Sequence, residues 1–304
     1  MSALNQLRED RLVEAIAELV AQPSQRRVLL GIGDDAAVWQ PSRSHRSVIT
    51  TDATIEDVHF RRDKTAPENI GRRAMGAALS DIAAMGARPV LATISIGLRT
   101  EDLEVALPLY RGIAEVAQKY DCAIAGGDVS RAPAIAIVMT IVGEVRPSHI
   151  KTRAGAQPRD VIAVTGVLGG ERAAGYAKLP EPRMREGRWL GANAAVHAMM
   201  DLSDGLSVDL ARMCARSGCA ALIERIPASR GVSDADALAG GEEYELLIAV
   251  ARRAFPHLAG RFAKGFGREL ERVGFFRDGE GVFLKTETGE APVAPAGWDH
   301  FSAG

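Results

Sequence analysis

GIGDDAAVW, residues 31–39, sets two adjacent carboxylates, Asp34 and Asp35, between runs that read as apolar strand. Taken alone, the stretch predicts a hairpin turn, because Gly and Asp are favoured in turns and Asp can hydrogen-bond its own backbone. Gly31, Gly33 and Ala36 also match the dinucleotide fingerprint G-x-G-x-x-A. That fingerprint requires a long helix directly afterwards, and AAVWQPS reaches Pro41 within a few residues. The segment therefore reads as β structure, and a Rossmann half is excluded at this point of the chain.

Working outward, RVLLG, AAVW and RSVITT read as short strands, preceded by an amphipathic helix in MSALNQLREDRLVEAIAELV. PENIGRRAMGAALSDIAAMG has the pattern of a helix, opened by Pro67 and closed by Gly86. PVLATISIGL reads as strand, EDLEVALPLYRGIAEVAQKY as helix, and CAIAG and AIAIVMTIVGEV as strands. The stretch RPSHIKTRAGAQPRD is polar and rich in breakers, so a domain boundary is expected near residue 148, giving domains 1–148 and 149–304. Beyond it, VIAVTG is a strand and a helical region is expected from about Gly170 to Met200. GLSVDLARMCARSG is an amphipathic helix with Leu206, Leu210, Met213 and Cys214 at helical spacing, and AALIERI and YELLIAV read as strands. The fold class is α+β or α/β, in two domains.

A chain of 304 residues, 47% hydrophobic, can bury a large core. Its formal net charge of −2 gives no footprint for nucleic acid or for an anionic membrane. The most apolar run, APAIAIVMTIVG, is too short to span a bilayer. Arg8, Glu9 and Asp10 stand where a signal peptide would need an apolar stretch. Cys122, Cys214 and Cys219 are odd in number and form no CxxC pair, which predicts reduced, buried thiols. The expectation is a cytoplasmic enzyme.

Carboxylates recur beside Gly, Ser or Thr: Asp34 and Asp35 in GIGDD, Asp52 in TTDA, Asp81 in LSDIAAMG, Asp128 in GGDVS, and Asp201 and Asp204 in DLSDGL. Each has a bland reading as a strand end, a glycine turn or a helix cap. Asp81 is the hardest to dismiss. Its helical neighbours Ala77, Ala78, Ala84 and Met85 make a small apolar face without Lys or Arg, where a solitary charge needs a partner. Two carboxylates about 5 Å apart repel by roughly 3 kcal/mol at an effective dielectric near 20, so a cluster calls for a divalent cation. All-oxygen donors suit Mg²⁺, which bridges to phosphate oxygens and points to nucleotide chemistry. The P-loop pattern and the protein-kinase signatures are absent. Gly126 and Gly127 before Asp128 read either as a plain turn or as a close backbone approach to phosphate. His59 in DVHF, next to TTDA, reads either as structural or as facing the same site.

GIGDDAA, TTDATIEDVHF, LSDIAAMGA, GGDVSR, DLSDGLSVDL, GGEEYELL and GWDHF follow in that order from Gly31 to Phe301. This ordered set resembles the thiamine-monophosphate kinase family, whose superfamily includes aminoimidazole ribonucleotide synthetase and selenophosphate synthetase. The resemblance implies a two-domain aminoimidazole ribonucleotide synthetase-like α+β fold. An N-terminal α/β domain would carry ATP and Mg²⁺ and a sheet that forms a homodimer, and a C-terminal α/β domain would close the active site. The implied activity is ATP-dependent phosphorylation of thiamine monophosphate to thiamine diphosphate, with several Mg²⁺ ions, ATP as co-substrate, and no nucleic-acid or membrane partner. By the same resemblance, Asp35, Thr50, Thr51, Asp52, Asp81, Asp128 and Asp201 would hold metal. Asp34 would support that cage and Asp204 would hold a further ion. Asp35, Asp52 and Asp128 are the expected catalytic carboxylates. Gly127, Asp128, Arg153 and Ser203 would contact ATP, and His59, Glu242 and Trp298 would line the thiamine phosphate pocket. An aromatic ring and a carboxylate suit a cationic thiazolium and an aminopyrimidine.

Three positions depart from the family pattern: Glu243 for Asp in GGED, Asp57 for Gly or Asn before VHF, and Ala78 for an Asn before LSD. None removes an expected metal ligand, so they bear on substrate fit. Another ATP-using synthetase of the superfamily is disfavoured by the absence of a reactive N-terminal Cys and by VHF and GWDHF. A non-catalytic cation-binding protein is disfavoured by the absence of an EF-hand loop.

Overall fold

The computed structural model describes residues 8–21, 27–33, 35–173, 179–298 and 301. Asp34 lies outside the described residues. The chain divides into two compact units, residues 1–82 with 88–147, and residues 83–87 with 148–304.

In the first unit, helix α1 (Arg8–Val20) precedes a two-stranded hairpin of β1 (Val28–Leu30) and β2 (Val38–Trp39). The GIGDDAA stretch is thus a hairpin connection, as its turn chemistry predicts. A four-stranded sheet follows, formed by β3 (Arg46–Ile55), β4 (Arg88–Leu98), β5 (Ala123–Arg131) and β6 (Ala136–Val145) in the order β3-β6-β4-β5. Only β4 and β5 run parallel. Their crossover is α3 (Leu103–Lys119), and α2 (Pro67–Ala84) links β3 to β4. The helix α2 ends at Gly86, whose φ of +69° needs no Cβ. Gly71 of α2 and Gly112 of α3 each face the other helix's backbone, where an added Cβ would lie 2.1 Å from the Leu109 oxygen and 1.9 Å from the Glu68 oxygen. Small residues at both positions let the helices touch backbone to backbone. Ile70, Met75, Leu79, Ile94, Ile96, Leu109 and Ile113 fill the core. Val28 and Trp39 of the hairpin pack on Leu91, Ala123, Ala125 and Val142 of the sheet.

The second unit is built on a seven-stranded sheet. Its strands are β7 (Val161–Val164), β8 (Val196–Asp201), β9 (Ala220–Ile223), β10 (Leu246–Val250), β11 (Glu271–Arg277), β12 (Val282–Thr286) and β13 (Gly289–Pro292). They are arranged as β13-β12-β9-β11-β7-β10-β8, antiparallel except for β9 and β12. Around it stand α4 (Gly170–Ala173), α5 (Met184–Gly191), α6 (Leu206–Ser217), α7 (Asp234–Ala239) and α8 (Phe255–Phe266). Leu206, Leu210, Met213 and Cys214 of α6 are buried in the core, as their spacing predicts. All three cysteines are free and buried, and burial pushes the Cys214 thiol up to about 12.

One expectation is corrected, and of the two readings open for Gly126 and Gly127 the turn is excluded. The helical region expected from Gly170 to Met200 contains α4 and α5, but VHAMMD forms β8, an edge strand paired with β10 whose residues are buried except for the partly exposed His197. A short apolar run buried on its packed faces carries no alternation by which to tell strand from helix. Gly126, Gly127 and Asp128 lie within β5 rather than in a turn. An added Cβ on Gly127 would lie 1.9 Å from the Ile94 oxygen, so the glycine serves close approach of β4, beside a register shift at Ala92 and Thr93.

Candidate active site

The first unit arranges its candidate residues in two groups. Thr50 and Asp52 alternate along β3 and so share one face of the sheet. That is the face of α2, whose Asp81 accepts a hydrogen bond of 2.6 Å from the Thr50 hydroxyl. Asp52 is mid-strand, and its Oδ1 accepts from the Ala53 amide at 2.8 Å. The partner expected for Asp81 therefore includes a neutral hydroxyl. Thr51 points to the opposite face, where its hydroxyl bonds that of Thr140 at 3.0 Å. Ala78 is fully buried.

Gly127 and Asp128 belong to the other edge of the sheet. Asp52, Met139, Ile94 and Gly127 form one register row across β3, β6, β4 and β5. Three strand spacings separate its ends by roughly 14 Å. The Ser130 hydroxyl donates to Asp128. Asp35, in the hairpin connection, is exposed. Among the described residues, no three His, Cys, Asp or Glu side chains gather as a ready-made metal site. The donor chemistry of Thr50, Asp52 and Asp81 nonetheless fits Mg²⁺, which takes one or two carboxylates and completes its shell with water and phosphate oxygens.

His59 lies in a tight turn after β3, where the Asp57 φ of +63° is left-handed. The Ile55 amide donates to its Nδ1 at 3.1 Å, and the His59 amide donates to the Ile55 oxygen at 2.9 Å. In the neutral ring the proton is then on Nε2. Arg99 grips Glu56 with both contacts below 3.0 Å, and the Ile135 amide donates to the same carboxylate at 2.8 Å. Arg99 holds the Glu56 carboxyl below its usual range, against the opposing effect of burial. Asp102, fully buried, pairs with Arg99 and Arg62, which anchors this turn to the start of α3.

In the second unit three motif segments meet. The strand β8 ends in the buried Asp201, and residues 202–205 turn into α6 through Gly205, at φ +129°. The Glu242 amide donates to the Ser203 oxygen at 2.7 Å, Tyr244 to Leu202 at 2.9 Å, and Trp298 to Asp204 at 3.0 Å. GGEEYE and GW are thereby stitched to DLSDG. Glu242 and Tyr244 both hold positive φ, at 60° and 51°, which stores about 1 kcal/mol or more at each. Trp298 is 49% exposed, with its indole at the surface of this junction. Arg153 does not join this group. Its carbonyl accepts from Ser217, at the far end of the 12-residue α6 and roughly 18 Å from the turn that carries Ser203.

Two residues of this junction had no assigned role in the sequence reading. Asp209 is fully buried, and its Oδ2 accepts the amides of Ser203, Asp204 and Gly205 at 3.2, 3.1 and 3.2 Å. Arg212 bridges its Oδ1, at 2.7 Å, to Asp204. Burial pushes the Asp209 carboxyl above its ordinary value, with the Asp204 amide and Arg212 opposing. The signal was present: Asp209 falls within the apolar stripe of α6, three residues after Leu206, as Asp81 falls on the small face of α2.

Known proteins agree with this architecture. Family models described as AIR synthase related protein, N-terminal domain and C-terminal domain, match residues 33–145 and 148–285. The thiamine-monophosphate kinase of Rhodopirellula baltica is 36% identical over 296 residues, covering 90% of this chain and 92% of its own length. The chain belongs to the thiamine-monophosphate kinase family. A crystal structure of thiamine-monophosphate kinase from Stenotrophomonas maltophilia superposes with a TM-score of 0.79 at 31% identity, covering 92% of this chain and 96% of that one. A structure described as AaThiL complexed with AMPPCP and TMP gives 0.74 at 27% identity, with 99% of each chain covered. Members of this family thus match the chain across both of its units.

Proposed function

We propose that this chain transfers the γ-phosphoryl group of ATP to thiamine monophosphate, giving ADP and thiamine diphosphate in the cytoplasm. The observation that carries the reading is the stitched junction of DLSDG, GGEEYE and GW, family motifs far apart in sequence that the backbone holds together. A similar structure described as complexed with AMPPCP and TMP supports both ligands.

The reaction is direct and in line. An oxygen of the acceptor phosphate attacks the γ-phosphorus as the bond to the ADP oxygen breaks. The acceptor is already anionic at neutral pH, so no strong base is needed, and the obstacle is repulsion between two polyanions and their alignment. Within the first unit Thr50, Asp52 and Asp81 would hold Mg²⁺ at one edge of the sheet and Asp35 and Asp128 at the other, and within the second unit Asp201 and Asp204 would hold metal. Magnesium, when bound, neutralises phosphate charge as it spreads over the transferring group. In the second unit Ser203 would orient ATP and Glu242 and Trp298 would recognise the thiamine phosphate, and in the first unit Gly127 would contact ATP and the Nε2–H of His59 would contact the thiamine phosphate.

A homodimer is part of this reading. Ile49, Ile55 and Val138 share the sheet face opposite α2 and are exposed. The long edge β3 pairs only with β6 among the described residues. The roughly 14 Å between the two edge groups exceeds what one ion spans with bonds of about 2.1 Å, which favours completion by a second copy.

Mass spectrometry of products from ATP, Mg²⁺ and thiamine monophosphate, beside an EDTA control, tests the reaction. Thiamine diphosphate formed only with metal is expected, and ADP without it would redirect the acceptor. In the same assay Asp52→Asn lowers turnover by about 100-fold or more with unchanged circular dichroism. Near-normal turnover would remove Asp52 from the site.

A further inference from the structure

We propose that Asp209 is a positioning residue that sets the active turn 203–205, and through it the two segments that carry Glu242 and Trp298. The inference rests on the proposed reaction, since it gives a function to the geometry of that same junction. One carboxylate oxygen of Asp209 collects three consecutive amides, those of Ser203, Asp204 and Gly205. Those amides precede α6 and would otherwise be orphan donors at its start. With them fixed, the carbonyls of Ser203 and Asp204 are turned outward to accept the amides of Glu242 and Trp298. The second oxygen of Asp209 holds Arg212, which in turn holds the carboxylate of Asp204. The branches to Glu242 and Trp298 therefore both leave a turn held by one buried side chain, which need not touch substrate to control it, while Tyr244 is tied separately to Leu202. The local backbone leaves no slack: Gly205 would bring a Cβ within 3.0 Å of the Ala239 backbone, and Gly297 within 2.3 Å of the Asp204 oxygen.

The test combines turnover, ligand binding and amide exchange on the full chain. In Asp209→Ala, kcat falls by about 100-fold or more, the scale on which misplacement of a reacting group acts. Asp209→Asn keeps one acceptor oxygen and regains about tenfold of that loss, a rescue that a role in stability alone would show only as a higher unfolding midpoint. Calorimetry with AMPPCP and Mg²⁺ shows affinity weakened by about tenfold in the alanine variant. Its amides at 203–205, 242 and 298 exchange about tenfold faster or more, while those of β8 and β10 are unchanged. Alanine with the turnover and exchange of the native chain would overturn the proposal, as would a loss that disappears when the folded fraction is matched. Should neither variant fold, exchange in the native chain decides: protected 203–205 amides support the assignment, and amides exchanging like open loop overturn it. A native chain that makes no thiamine diphosphate would refute the reaction itself, and exchange and AMPPCP affinity would still decide the role of Asp209.

Discussion

Burial raises the Glu243 carboxyl to about 7, helped by the neighbouring charges of Glu171 and Glu245 and opposed by the backbone N–H groups of Glu171 and Gly169. An acid whose folded value lies above its unfolded one keeps its proton in the native state while the unfolded chain has lost it. Stability therefore falls as pH rises from about 4.5 to about 7 and levels off above that range. Because the group is partly exposed, the loss is on the order of 2 kcal/mol. Denaturation midpoints at pH 5 and pH 8 should differ less in Glu243→Gln than in the native chain, and an equal difference would clear Glu243 of the effect. The carboxylate at this position thus has a physical consequence next to Glu242. Asp81 shows how far single residues are legible in sequence: an acid on an Ala-rich helical face announces a partner. The identity of that partner, Thr50, comes from β3 pairing across 31 positions and from no local pattern. Asp209 gave the same kind of signal and was read only as part of an amphipathic helix.

At the scale of elements, helices α2 and α6 follow from apolar periodicity and from Pro or Gly at their ends, α3 follows from periodicity despite Pro108 inside it, and the alternation of β3 follows from its own pattern. The GGD segment does not. Two glycines before an aspartate have the composition of a turn, and nothing local distinguishes that from a strand that needs its glycine. The need comes from β4, whose Ile94 carbonyl occupies the place of a side chain on Gly127. Gly127→Ala should accordingly cost about 3 kcal/mol or more, read from a denaturant midpoint, because the clashing atom is backbone and cannot swing aside. A variant as stable as the native chain would mean that β4 and β5 are not this close. The strand β8 escaped sequence reading for the opposite reason. Its residues are almost all buried, so polar alternation has nothing to act on, and only pairing with β10 decides it.

For the molecule as a whole, no helix among the described residues is long and apolar enough to cross a membrane, and each unit encloses its own core. Among the described residues of the first unit, the part of the sheet face opposite α2 that the hairpin leaves uncovered is open to solvent. There Ile49, at 67% exposure, stands with Ile55 and Val138 beside the hydroxyls of Thr51 and Thr140. An exposed apolar face beside a ten-residue strand whose outer edge is unpaired among the described residues is a liability unless another chain covers it. In the proposed homodimer a second copy of this chain would satisfy both requirements and would join edge groups that stand roughly 14 Å apart within one copy. Ile49→Glu combined with Val138→Glu should therefore change the sedimenting species from twice 32.3 kDa to a single chain of 32.3 kDa. The monomer should keep its circular dichroism, since both side chains are outside the core, and should lose turnover by about 100-fold because the two edge groups no longer meet. A monomeric variant with full turnover would show that one copy assembles the site unaided, and a native chain that sediments as a monomer would remove the second copy from the mechanism.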